Sequence, residues 1–327
     1  MKKSERIRSF VFLIAVLSAL CTYVTAAKYL IPGGCTIGIR ADVDGLIVTG
    51  IEEGFPASRS GIRAGDILLT VNGVPLHSAQ ELTEAAQAGA VELTLERGGT
   101  VKTLSLDPAK SEGSRKLGIF VRNHVAGIGT VTYYDPEDQS FGALGHGITD
   151  PDGRDLIPIT GGIVVESSVS SVIKGKTGAA GQLSGSFQTD HVEGTIGSNT
   201  DHGVFGFMNV PDALPVAVAE RSEIHPGSAV ICANVEGKRV ETYDVEILKV
   251  YGKGREDGRD LLLRVTDPEL LAATGGIVQG MSGSPILQDG KLVGAVTHVL
   301  VNTPDTGYGI AMDTMLQAAE RARSLCA

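Results

Sequence analysis

Short apolar runs separated by glycine, Asp-Pro and Asp-Gly recur along most of this 327-residue chain. Beyond residue 28, only Ser78–Ala88 and Thr314–Arg323 carry helical patterning. Turn signals this closely spaced leave room only for short strands, so the expected fold is mainly β. The 43 glycines and the absence of tryptophan agree, because tight turns need residues without a Cβ. An apolar content of 42% with 20% charged residues supports folded cores and excludes disorder along most of the chain. The length calls for more than one domain. A net charge of −10, with no Lys/Arg cluster beyond the first eight residues, excludes a general nucleic-acid binder.

Lys2, Lys3, Arg6 and Arg8 precede an apolar run from Phe10 to Ala27. A basic start followed by roughly 18 apolar residues predicts a signal peptide or membrane anchor over residues 1–27. Val24-Thr25-Ala26 offers small residues for cleavage, whereas Leu20 directly before Cys21 argues against a lipoprotein site. The remainder is expected outside the membrane of synthesis. Cys35, Cys232 and Cys326 are too scattered for a zinc site or a disulfide framework, which leaves three thiols or one bridge.

Residues 28–107 read as a small α+β unit. Apolar strands at Cys35–Arg40 and Gly45–Ile51 precede Ile67–Val71 and the tight-turn pair Asn72-Gly73. A helix follows over Ser78–Ala88, with Ser78 as N-cap and Glu81 three residues on. The hairpin Val91–Glu96 and Val101–Leu106 turns at Gly98-Gly99. The block GFPASRSGIRAGDILLTVNG, followed by this helix and hairpin, resembles the PDZ domains attached to bacterial proteases. The resemblance implies a peptide-binding loop at Ile37-Gly38-Ile39, where glycine amides would cradle a carboxylate and the peptide would add as a strand.

After a polar linker at Ser111–Arg115, residues 108–327 carry many short strands and one terminal helix. Thr160-Gly161-Gly162-Ile163-Val164 recurs as Thr274-Gly275-Gly276-Ile277-Val278, an echo expected of two half-barrels of common descent. The chemistry lies in Gly280-Met281-Ser282-Gly283-Ser284-Pro285. Serine attacks carbonyls only when a base takes its proton and donors hold the oxyanion. This hexapeptide resembles the nucleophile loop of chymotrypsin-like proteases. That resemblance implies a double β-barrel, with Ser282 as nucleophile and the Gly280 and Ser282 amides as oxyanion donors. His146, framed by Gly145 and Gly147, stands upstream as the candidate base, with His298 its main rival and His191 and His202 further alternatives. His77 belongs to the PDZ-like part, and His124 and His225 to polar turns.

Together FGALGHGITD, VTDPELLAATGGIVQGMSGSPI and GKLVGAVTHVLVNTPDTGYGI resemble the SpoIVB-type serine peptidases, the signalling proteases of endospore formers. The likeness covers nearly the whole chain. It implies His146 as base, Ser282 as nucleophile and Asp267 as the orienting acid; Thr297, fifteen residues after Ser282, is by its position an alternative hydrogen-bonding partner of the histidine. It also implies self-cleavage and cleavage of a membrane-bound regulator in the space between mother-cell and forespore membranes, on the route to sigma-factor activation. No cofactor or metal is expected, since no H-E-x-x-H or paired-cysteine motif occurs. Lys174-Gly175-Lys176-Thr177 lacks the first glycine of a phosphate loop, Ser170 standing in its place. Gly276, six before the serine, gives no basis for a basic side-chain preference. Two other readings remain open: a non-catalytic PDZ adaptor and a general quality-control protease.

Overall fold

The computed structural model describes residues 27–326 apart from Glu112, Asp152, Arg154, Gly254 and Glu256. In chain order the first half runs β1 (Tyr29–Pro32), β2 (Thr36–Ile51), β3 (Ile67–Val71), β4 (Val74–Pro75), α1 (Ala79–Ala88), β5 (Val91–Arg97) and β6 (Thr100–Leu106). A small hairpin, β7 (Ala109–Ser111) and β8 (Ser114–Lys116), leads to β9 (Ile119–Tyr134) and β10 (Ser140–Ala143). Then come β11 (Gly161–Ile173), β12 (Gln182–Thr200), β13 (Gly203–Met208) and β14 (Val216–Ala217). The second half has β15 (Gly227–Glu236), β16 (Arg239–Val250), β17 (Leu261–Val265), α2 (Pro268–Thr274), β18 (Pro285–Gln288), β19 (Lys291–Leu300), β20 (Thr303–Ala311) and α3 (Met312–Cys326).

Local chemistry sets these elements. Asn72 and Gly73, at φ 52° and 77°, turn β3 onto β4, where Val71 faces Val74. Ser78 and Glu81 form a reciprocal capping box: the Glu81 amide donates to Ser78 Oγ at 3.3 Å and the Ser78 amide to Glu81 Oε2 at 3.1 Å. Leu82 and Ala86 then bury the inner face of α1 against Leu68, Leu93 and Leu95. The stretch expected to be a linker pairs instead as the β7–β8 hairpin, Lys110 opposite Arg115.

The expected pair of separate barrels is corrected. The second half closes as a barrel in the order β15-β16-β17-β20-β19-β18. The first half is a twelve-stranded sheet that runs on into the PDZ-like strands. Two long strands cause the continuity. Residues 36–42 of β2 bond to β11 on one edge and β9 on the other, while residues 46–51 run on beside β3 and the start of β9. The ring of pairings from β2 through β11, β12, β13 and β10 to β9 is therefore not self-contained, since both β2 and β9 leave it. Strands β1 and β2 of the 28–107 unit also pair with β9, β11 and β14 beyond residue 107. The echo falls on unlike structure, one copy opening β11 and the other ending α2 and the turn beyond it.

No helix among the described residues is long and apolar enough to cross a membrane. The expected anchor over residues 1–27 lies, except for Ala27, outside the described residues. The expectations of a membrane segment, a membrane partner and an anchored location thus find no support in any described helix, and they are withdrawn.

Candidate active site

The nucleophile loop follows α2 and enters β18. Residues 275–284 make no regular element, yet each turn of the loop is bonded. The Met281 amide donates to Val278 O at 3.1 Å, Ser284 to Met281 O at 2.9 Å, and Gly283 to Val296 O at 2.8 Å. The first half of the chain grips the same loop from β9. Thr130 donates its amide to Ser282 O at 3.1 Å and its hydroxyl to Gly280 O at 2.7 Å, and Thr132 Oγ1 donates to Gly283 O at 2.8 Å. Glycine is required at 283: φ is +100°, and a Cβ there would lie 2.1 Å from Thr130 O. The amides of Gly280 and Ser282 meet no acceptor among the described residues.

His146 follows β10 through two positive-φ residues, Leu144 at 70° and Gly145 at 69°. The turn brings it to a cleft of about 790 Å³ between the halves, whose walls also include Ser282, Gly280, Thr297 and His298. His146 Nδ1 lies 2.9 Å from Gly147 O. Burial holds its imidazole below the usual histidine range, opposed by the bond to Gly147. Ser282 Oγ donates to Thr297 O at 2.7 Å. The His298 ring stands 5.2 Å from that of His146, tilted by 39°. Partial burial, then the nearby His146 and Arg259, keep His298 below its ordinary range as well.

Of the other expected residues, Thr297 is buried and its Oγ1 has no hydrogen-bond partner among the described residues. Asp267 is the N-cap of α2, and this corrects the role implied for it. Its Oδ1 accepts from the Glu269 and Leu270 amides at 2.9 Å each, and its Oδ2 from Asp244 at 3.3 Å. It is absent from the cleft walls. Of the remaining alternatives, His191 lies on β12, and neither it nor His202 lines the cleft. Cys35 and Cys232 are free thiols, each pushed up by burial.

Ile37-Gly38-Ile39 is corrected too. These residues pair with Gly129, Ile128 and Gly127 on one side and with Glu166, Val165 and Val164 on the other. A strand bonded on both edges has no place for a peptide. The same apolar-Gly-apolar pattern occurs at Leu117-Gly118-Ile119, a signal the sequence reading passed over. Gly118 has φ +77°, and a Cβ there would sit 2.3 Å from the Phe55 Cβ. The Leu117 and Gly118 amides meet no acceptor among the described residues. From Ile119 to Arg122, β9 bonds only to β2 among those residues, leaving its other edge open. Helix α1 is tied beside this segment, Gln87 and the Arg115 backbone exchanging two hydrogen bonds of 2.8 and 3.0 Å.

Residues 113–316, more than half of the chain, match the family described as SpoIVB peptidase S55. The chain belongs to this family of serine endopeptidases. Residues 47–97 match the PDZ domain family. Among curated proteins, the putative serine protease HhoA of Synechocystis is 33% identical over 26% of this chain and 18% of its own length. The putative zinc metalloprotease LL2128 of Lactococcus lactis is 39% identical over 21% of this chain and 17% of its own. The chain thus spans less than a fifth of the length of these relatives. Among solved structures, the PDZ domain of the SdrC-like protein Lmo2051 from Listeria monocytogenes matches 24% of this chain and 87% of its own, at 20% identity and TM-score 0.22. The Rv3671c protease in its inactive form matches 60% and 84%, at 13% identity and TM-score 0.36.

Proposed function

We propose that Ser282 is the nucleophile of this peptidase and His146 its general base. Ser282 Oγ attacks the scissile carbonyl carbon while its proton passes to His146 Nε2. The amides of Gly280 and Ser282, free of internal acceptors, receive the oxyanion. The C–N bond then breaks as His146 returns the proton to the leaving amine, and water releases the acyl group by the same route. The observation that carries this reading is the shared cleft: the glycine-framed serine and histidine, 136 residues apart in the chain, form walls of one cavity. Thr297 contributes through its carbonyl, which holds the serine hydroxyl before substrate arrives.

The substrate is a protein: a regulator in sporulation signalling upstream of sigma-factor activation, together with this chain's own N-terminal region. The 28–107 region, completed by residues 117–122 at the start of β9, acts as the peptide-recognition unit, and the rest of 108–327 as the peptidase. The loop Leu117–Ile119 and the open edge of β9 accept the carboxyl end of an extended peptide. Incubation of the purified chain, followed by N-terminal sequencing of its fragments, tests this reading. Self-cleavage and labelling by a serine-directed phosphonate are both expected to vanish in Ser282→Ala. Fragments persisting in that variant would refute it, and signalling that survives His146→Ala would favour the adaptor reading instead.

A further inference from the structure

We propose that this peptidase trims extended carboxyl-terminal tails from its protein substrates, strand β9 setting the cut about ten residues from the free end. The inference rests on the reading above, in which Ser282 attacks and the Leu117–Ile119 loop takes a carboxylate, and it adds the track that joins the two sites. Leu117 and Gly118 lead directly into β9, and near the other end of that strand the Thr130 amide donates to Ser282 O at 3.1 Å. One strand thus starts at the carboxylate loop and reaches the nucleophile.

Backbone alternation decides which groups face this track. Val131 turns toward β2, its amide donating to Cys35 O at 3.0 Å. Thr130 turns the other way, its amide to Ser282 and its carbonyl accepting from the Leu144 amide at 3.1 Å. In a regular strand the polar backbone groups of Ile128, Ala126 and His124 share the Thr130 edge. From Ile119 to Ile128 that edge pairs with no strand among the described residues. These ten positions are exposed or half-buried, whereas Gly129–Tyr134 are buried. Val125–Ile128 are themselves walls of the cleft that holds Ser282 and His146, and a Cβ added at Gly127 would meet nothing within 4 Å.

Direction completes the argument. A tail added antiparallel to β9, its carboxylate at Gly118, runs its preceding residues toward Thr130 and Ser282. Gly118 and Ile128 stand ten positions apart, and an added strand matches its neighbour residue for residue. Opposite Asn123 it is β2 that carries the extra residues, Arg122 facing Ile47 and His124 facing Asp42, while β9 continues unbroken. On this path the body of the substrate is left as the acyl group on Ser282. The amine that takes the proton from His146 becomes the first residue of the released tail.

The test uses the full chain and a mixture of peptides of about twenty residues and varied sequence, long enough to span the track. Each is made as a free acid and as a carboxyl-terminal amide, and the products are read by mass spectrometry. Cuts in the acids should cluster about eight to thirteen residues from the end, and extending that end should move the cluster outward by the residues added. Amidation should slow cutting about tenfold or more, since the carboxylate loses its charge-assisted bonds. Ala126→Pro removes one outward amide without touching a bond to β2, and should slow it about three- to tenfold. Cuts that ignore the distance to the carboxyl end overturn the proposal, as does equal cutting of acids and amides or parent-rate cutting by Ala126→Pro. So does a preparation that a phosphonate labels at Ser282 but that cuts none of the acids. Failure of the underlying reading looks different: Ser282→Ala would then cut the same peptides at the parent rate, wherever the cuts fall.

Discussion

The Thr130 amide donates to the Ser282 carbonyl at 3.1 Å, so a strand from the first half of the chain holds the proposed nucleophile carried by the second. The Thr130 hydroxyl adds a 2.7 Å bond to Gly280 O, and the residue is almost wholly buried. The loop carrying the proposed oxyanion amides is thus held partly by bonds within the second half and partly by bonds from β9 of the first. On the proposed mechanism, activity should depend on the packing of β9 against this loop.

Thr130→Val keeps the β-branched shape and the amide bond but leaves the Gly280 carbonyl unpaired. Stability should fall by about 1–2 kcal/mol, the usual cost of an unsatisfied buried group. Turnover should fall more than KM rises, since the donors matter most in the transition state. Urea unfolding and steady-state kinetics on the same preparation check both numbers.

Gly283→Ala places a methyl group against Thr130 O at a positive φ. The strain is of order 1–3 kcal/mol, and the loop can relieve it only by moving away from β9. Phosphonate labelling should become very slow while the PDZ-like part stays folded. Labelling at the parent rate would show that the contact between loop and strand is dispensable.

The pH dependence of labelling follows from His146. Its imidazole must be neutral to accept a proton, and burial holds its titration below the ordinary value of 6.5. The rate should therefore rise with pH, with a midpoint under 6.5, and level off above it. The titratable and charged groups facing this cleft are His298, Arg259, Asp257 and Asp201. A midpoint at or above the ordinary histidine value would contradict the lowering that burial imposes.

In the PDZ-like part, Asp66 is fully buried against Arg97, whose Nη2 donates to its Oδ2 at 2.6 Å, and the Arg63 amide donates there at 2.9 Å. Asp66→Ala strips the guanidinium of its partner and frees the Arg63 amide. A loss of about 3–5 kcal/mol is expected, the range for breaking a buried pair. Asp66→Asn keeps an acceptor and should lose less. Chemical denaturation of the two variants side by side measures the difference.

Short-range chemistry was legible in the residues themselves. The Ser78/Glu81 capping box, the Asn72-Gly73 turn and the glycine-framed Ser282 and His146 each state their local geometry within a few positions, because capping, positive φ and close backbone approach are properties of single turns. Two assignments failed for a common reason. Ile37-Gly38-Ile39 and Leu117-Gly118-Ile119 share one pattern, and only pairing with strands distant in the sequence (Ile37 with Gly129 and Glu166, Ile119 with Ile51) decides which keeps an open edge. Asp267 is the acid that the family resemblance implies, yet the Glu269 and Leu270 amides of the helix it begins take its Oδ1 and the Asp244 amide of β16 takes its Oδ2.

What the chain alone determined was its class: turn-punctuated strands, a PDZ-like block, and a serine and a histidine each set between glycines. Which edge lies open, which acid is already bonded, and whether His146 meets Ser282 belonged to the tertiary structure. Hydrogen-bond capacity is finite, and a donor or acceptor satisfied by a distant strand is no longer available for the chemistry its local sequence suggests.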